Sequence, residues 1–215
     1  MNNLALITLM AWPVIPVFWI PVHVFPDVFR RLGLFSYAVP LIIWLPAAYV
    51  IYTHRDFFLH FRTDFPFAVR AAGLVLLITG TGIHIWTGKL LSLWGLIGLP
   101  EVWTRAEGRL VTSGAFSLVR HPTYLAHTLM FSGIFLFTGV ISVAVLTAVD
   151  LLAVILVIIP FEEKELLSRF GEEYRTYVRS VPKFIHGPGG GNETICPEEY
   201  RPLRCRIHQP SFAAP

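Results

Sequence analysis

Residues 124–159 read YLAHTLMFSGIFLFTGVISVAVLTAVDLLAVILVII, an apolar run nearly twice the roughly 20 residues that one bilayer-spanning helix needs. Only Thr138, Gly139 and Ser142 punctuate it. Divided there, the halves 124–139 and 140–159 each reach just across a bilayer at about 1.5 Å per residue. They read as a tight helical hairpin. Three more apolar stretches precede it, at 4–24, 35–52 and 71–87, so the pattern predicts an all-α polytopic membrane protein of about five transmembrane helices.

Composition agrees. Of the 215 residues 54% are hydrophobic and 14% charged, too apolar a balance for one soluble core. The first span lacks the basic start and small-residue cleavage site of a signal peptide, so it is expected to stay in the mature protein, kinked at Pro13, Pro16 and Pro21. If both ends of the hairpin face the cytoplasm, that side collects all of the 17 lysines and arginines except Arg55, Arg62 and Arg70. The bias predicts an outside N-terminus and a cytoplasmic C-terminus. The net charge of +3 then belongs to cations beside anionic headgroups, and no nucleic-acid partner is expected.

Organisation follows from these spans. Residues 1–104 hold the N-terminal transmembrane helices and an interfacial or re-entrant segment with Leu90, Leu91, Leu93, Trp94 and Trp103. Residues 105–185 form a second region, and 186–215, opening with GPGGGNET, read as a flexible cytoplasmic tail. Cys196 and Cys205 fall in that tail, where reducing conditions disfavour a disulfide. Together with His186 and His208 they lack compact ligand spacing, and no metal is expected. The sequon at Asn192 lies on the wrong side of the membrane.

Residues 161–181 carry an amphipathic helix. Leu166, Leu167, Phe170, Tyr174, Tyr177, Val178 and Val181 share one face, opposite the pairs Glu165/Arg169 and Glu172/Arg175. Gly171 divides it and Pro182 ends it. Such a helix can rest on lipid, or fold back as a lid over the loop before Tyr124.

That loop, residues 110–124, reads LVTSGAFSLVRHPTY. Thr112, Ser113 and Gly114 signal a turn, and Pro122 suits the first turn of the next helix. A helix start favours a carboxylate or phosphate, and Arg120 and His121 add to that field. Anchoring in phospholipid headgroups is the plainer alternative. Glu162 and Glu163, however, are returned by the hairpin to the depth of His121. A cationic loop and an acidic pair in one layer can grip a zwitterion.

LVTSG, RHPTY at 120–124, EEKEL at 162–166 and FGEEYRTYVRSVPKF at 170–184 together resemble the isoprenylcysteine carboxyl methyltransferase family, related to membrane phospholipid N-methyltransferases. The resemblance covers residues 105–185. It implies a cofactor-binding, methyltransferase-like core there, with S-adenosyl-L-methionine in a cytoplasm-facing pocket and a lipid or lipid-linked acceptor entering from the bilayer. By position it implies that Gly108, Arg109, Leu110, Val111, Phe116, Arg120, His121, Pro122, Thr123, Tyr124 and Glu162 bind the cofactor. Phe116 stands where the family has a tyrosine. The isoprenylcysteine enzymes also carry an arginine a turn before the acidic pair, whereas this chain has Val157, Ile158, Ile159 and Pro160. An apolar wall cannot pair an acceptor's carboxylate.

Methyl transfer from a sulfonium is an in-line displacement that alignment and water exclusion accelerate, with cation–π attraction from Phe116 or Tyr124. A carboxylate acceptor needs no base; an amine or hydroxyl does, and His121, Glu163 and His127 are the candidates. Asp150, deep in the last span, calls for a partner such as His84 or a third-span threonine. Two other readings stay open: an NADPH-dependent membrane sterol or steroid reductase, and a non-catalytic lipid-binding module of the same fold.

Overall fold

The hairpin forms where the sequence breaks. In the computed structural model, which describes residues 2–102 and 109–184, α1 (Asn2–Ala11) and α2 (Val14–Val24) form the first span, interrupted at Trp12 and Pro13. Pro13 and Pro16 have no N–H to continue the α-helical ladder there. Then come α3 (Pro26–Leu32), a 3-10 turn (Gly33–Tyr37), α4 (Ala38–Thr53), α5 (Arg55–His60), α6 (Phe67–Leu96) and α7 (Leu99–Val102). A second 3-10 turn (Gly114–Ser117) leads to α8 (Pro122–Thr138), then α9 (Ile141–Ala153), one π-helical turn (Val154–Ile158), α10 (Ile159–Phe170) and α11 (Glu172–Ser180). Among the described residues the only extended pairing is a bridge between Arg62 and Val140.

Among the described residues four helical stretches are long and apolar enough to cross a membrane: Asn2–Val24, Pro26–Thr53, Phe67–Ser92 and Ile141–Phe170, the last of them apolar only as far as Phe161. The other half of the hairpin, α8, has 17 residues. Side chains such as Phe35, Ile42 and Phe67 are exposed by 81%, 70% and 87%, which suits lipid and not water as the surrounding solvent. The helices outrun the apolar stretches. α6 continues past Thr87 to Leu96, bending at Ser92, whose φ of 64° and ψ of 164° lie in a region that costs a non-glycine residue about 1–3 kcal/mol.

At the hairpin, Gly139 takes a left-handed φ of 73° and its N–H bonds to the Phe135 carbonyl at 2.7 Å, a helix ending that glycine adopts without Cβ strain. The loop after α5 clasps this turn, with Thr63 N–H donating to the Gly139 carbonyl and Ile141 N–H to that of Phe61.

α6 and α8 run antiparallel in near backbone contact. A Cβ at Gly80 would lie 2.8 Å from the Ala126 carbonyl oxygen, and one at Gly133 would lie 2.5 Å from the Leu77 nitrogen. Small residues permit such approach between helices in lipid, where packing replaces the hydrophobic drive.

The amphipathic segment folds back. Gly171, with φ of 53°, separates α10 from α11, and Tyr174, Tyr177 and Val181 are buried against Leu110, Leu166, Leu167 and Phe170. Its apolar face therefore covers the loop before α8. Asp150 departs from expectation: its partner is neither His84 nor a third-span threonine but the Trp12 indole, which donates to Oδ1 at 2.7 Å. The break between α1 and α2 puts Trp12 within its reach.

Candidate functional site

The start of α8 is fixed from both sides. Pro122 occupies the first helical turn and is fully buried. The backbone N–H groups of Arg120 and His121 donate to the carbonyls of Pro182 and Lys183 at 2.8 and 3.3 Å. The Arg120 guanidinium donates to the carbonyls of Val178 and Val181 at 3.2 and 2.7 Å and to Glu163 Oε1 at 3.0 Å. Arg120 thus pins the end of α11 instead of reaching for headgroups.

Glu163 is the shared counter-ion of this knot. His121 Nε2 lies 3.0 Å from its Oε1, and Lys183 Nζ lies 3.6 Å from its Oε2. It stands on the charged part of α10, beyond the apolar stretch. Burial raises its pKa, but the His121 hydrogen bond and the charges of His121, Arg120 and Lys183 outweigh that and bring it down to about 2. Glu162, next to it, is different: its Oε2 lies 3.6 Å from His121 Nδ1 and is buried without a hydrogen bond.

A cleft of about 830 Å³ opens over this knot. Arg109, Leu110, Val111, Phe116, Arg120, His121, Thr123, Tyr124 and Glu162 all line it, as does His127. Pro122 and Glu163 are not among its walls; Glu163 is turned to the cations beneath. Gly108 lies outside the described residues, as do Arg105, Trp103 and the segment 186–215. α11 closes one side: the Tyr177 hydroxyl donates to the Phe116 carbonyl at 2.6 Å. Burial pushes the Tyr177 phenol up to about 12 and raises that of Tyr174 further, with Glu163 adding to the rise at Tyr174. Tyr174 keeps a buried hydroxyl on the cleft wall with no hydrogen-bond partner.

The sequence did not announce the cleft's other walls. Ile15, Trp19 and His23 enter from α2, and His84, Lys89 and Ser92 from α6. His23 Nδ1 and Arg30 meet opposite oxygens of Glu165 at 3.1 and 3.0 Å, joining the first two spans to α10. The Glu165 carboxyl, raised by burial, is lowered overall by the His23 hydrogen bond and the charges of His23, Arg169 and Arg30. The signal for the α6 wall was present: Gly73, Leu77, Gly80 and His84 recur at helical spacing on one face, matching Ala126, Met130, Gly133 and Phe137 on α8.

Residues 68–173, just under half of the chain, match the phospholipid methyltransferase family. Over that segment the chain is similar to membrane methyltransferases. A methanethiol S-methyltransferase of Crocosphaera subtropica is 30% identical over 55% of this chain and 45% of its own length. Methanethiol S-methyltransferase 1 of Bradyrhizobium diazoefficiens is 31% identical over 54% of this chain and 40% of its own. The cobalt-zinc-cadmium resistance protein CzcN of Cupriavidus metallidurans is 30% identical over 46% and 51%. The chain thus spans about half the length, or less, of the curated relatives it matches. No solved structure matches it.

Proposed function

We propose that the chain is an integral-membrane methyltransferase that takes its methyl group from S-adenosyl-L-methionine and delivers it to a lipid or lipid-soluble acceptor, with cleft and C-terminus facing the cytoplasm. One observation carries the reading. Glu162 Oε2, 3.6 Å from His121 Nδ1, and the Tyr174 hydroxyl are buried polar atoms without a hydrogen bond on the wall of a single cleft that also holds Arg109 and the start of α8. Unmatched buried polar groups are costly, so such atoms fit a ligand that brings their complements.

The donor's amino-acid end is such a ligand. Glu162 would hold its ammonium, while Arg109 and the positive end of the α8 dipole would take its carboxylate. Phe116 and Tyr124 offer ring faces to a sulfonium. When bound, the donor supplies an electrophilic methyl carbon. The chain's part is to exclude water, through α11 and the Tyr177–Phe116 bond, and to align the acceptor.

The acceptor side is apolar. Ile15 and Trp19 also line a second groove of about 310 Å³, shared with Val14, Phe18, Pro40 and Leu41, which suits a hydrocarbon tail. Ile158 and Ile159 are buried against Trp19, Ile20 and Tyr124, where an isoprenylcysteine enzyme would need an arginine. A thiol, the group methylated by the methanethiol relatives, makes no such demand.

Thermal-shift titration of the detergent-purified chain separates the readings. S-adenosylhomocysteine should raise the melting temperature and NADPH should not. A shift with NADPH alone would favour the reductase, and none with either would favour a non-catalytic module.

A further inference from the structure

The α6–α8 glycine seam ends in two imidazoles. The rings of His84 and His127 stand with centroids 4.9 Å apart, tilted by 45°, and both line the cleft. Each Nδ1 is buried and has no hydrogen-bond partner. His127 lies three residues further along α8 than Tyr124, deeper in the span, and its other face stacks on Phe131 at 5.9 Å. The carboxylates of the cleft, Glu162 and Glu165, sit on α10 against His121 and His23. Two imidazoles with no counter-ion among the described residues are an unusual thing to keep inside a bilayer span, where polar groups are costly and tend to serve function.

We infer that His127, seated by His84, is the general base for an acceptor that arrives neutral and must shed a proton: a thiol on a small hydrocarbon. This rests on the methyltransferase reading and sharpens it. A carboxylate acceptor would arrive as an anion and need a fixed cation at the apolar Ile158–Ile159 wall. An amine would arrive as a cation and need a carboxylate beside the imidazoles. A thiol needs only a lone pair, and a neutral imidazole always has one. The acceptor's S–H bond breaks and its proton passes to an imidazole nitrogen of His127. The sulfur lone pair forms the new C–S bond to the methyl carbon, while the donor's C–S⁺ bond breaks and its electron pair remains on the donor sulfur as a thioether. His84 is the positioning residue, its ring fixing the plane of His127.

The test uses the full chain in detergent, with 1-butanethiol as acceptor and S-adenosylhomocysteine as binding probe. His127→Asn should lose about 100-fold or more in butanethiol methylation, the usual scale of a lost general base, and keep its thermal shift with S-adenosylhomocysteine. Raising the pH toward the thiol's own pKa should restore the variant in large part, because thiolate then needs no base. A packing defect would not be repaired in this way. The other charged and titratable groups lining the cleft, from His23 on α2, Lys89 on α6 and Arg109, Arg120 and His121 before α8 to Tyr124 on α8, Glu162, Glu165 and Arg169 on α10 and Tyr174 and Tyr177 on α11, are unchanged in both proteins. A readout without turnover accompanies it: butanethiol, with no methyl donor, should protect His127 from carbethoxylation by diethyl pyrocarbonate. His84→Asn should lower kcat more than it raises KM. Wild-type thiol methylation by His127→Asn would overturn the base assignment alone. Methylation of phosphatidylethanolamine but not butanethiol by the wild type would overturn the thiol class. Failure of the wild type to bind S-adenosylhomocysteine would overturn the underlying reading instead.

Discussion

Glu162 Oε2 lies 3.6 Å from His121 Nδ1, across an interval of about forty residues that the hairpin closes. The neighbouring Glu163 completes the clamp on the other ring nitrogen at 3.0 Å. Two adjacent carboxylates thus divide one histidine between them, one serving the protein's own cations and the other facing the cleft.

That division predicts opposite phenotypes. Glu162→Gln should weaken S-adenosylhomocysteine binding by about 1–3 kcal/mol, the range for one charged hydrogen-bonding partner lost from a buried site, and leave the melting temperature of the free protein nearly unchanged. Isothermal titration with a parallel melting scan checks both. Unchanged affinity would remove Glu162 from the site.

Glu163→Gln should do the reverse. It strips Arg120, His121 and Lys183 of their common anion and should lower stability. The pH dependence has a definite sign. The folded carboxyl titrates at about 2, below its ordinary 4.5, so its contribution is complete above about pH 4.5 and fades as pH falls toward 2. The contribution is on the order of 3 kcal/mol, at about 1.4 kcal/mol for each tenfold change in proton affinity. Wild-type melting temperature should fall over that window, and that of Glu163→Gln should be flatter. Parallel curves would contradict the knot.

Sequence reading reached the hairpin, the acidic pair and the start of α8 because each rests on a local rule. Gly139 can turn left-handed, Pro122 can open a helix, and an uninterrupted apolar run must cross lipid. It left open whether residues 161–181 rest on lipid or cover the loop. An amphipathic face looks the same whether lipid or protein covers it, and only Leu110 and the Tyr177–Phe116 bond decide between them. Trp19 and His23 escaped because they belong to a span whose apolar composition hides which side chain faces inward. Asp150 was recognised as needing a partner, but the break that delivers Trp12 to it depends on how the first span bends.

The α6–α8 seam is open to a direct test. Gly133→Val should destabilise the chain by about 1–3 kcal/mol, as overpacking at a filled contact does, because a Cβ there meets the Leu77 backbone. It should also separate His84 from His127 and so reduce any activity that depends on them. Gly82 supplies the control: a Cβ there meets nothing within 4 Å, and Gly82→Ala should melt at or above the wild-type temperature. Equal melting of the two variants would show that the seam is not a close contact.

The Trp12–Asp150 bond ties the break in the first span to the last turn of α9. Trp12→Phe removes the donor and strands a carboxyl that is only 2% exposed, whereas Asp150→Leu removes the group that needed the donor. Trp12→Phe alone should therefore cost more than Trp12→Phe placed on top of Asp150→Leu. The difference, read as a coupling energy in a double-mutant cycle of detergent unfolding, should fall near the 0.6 to about 1.7 kcal/mol found for interhelical bonds in membrane proteins. Additive effects would mean that the indole and the carboxyl do not stabilise one another. The proposed methyltransferase activity should follow stability across the cycle, because neither residue lines the cleft.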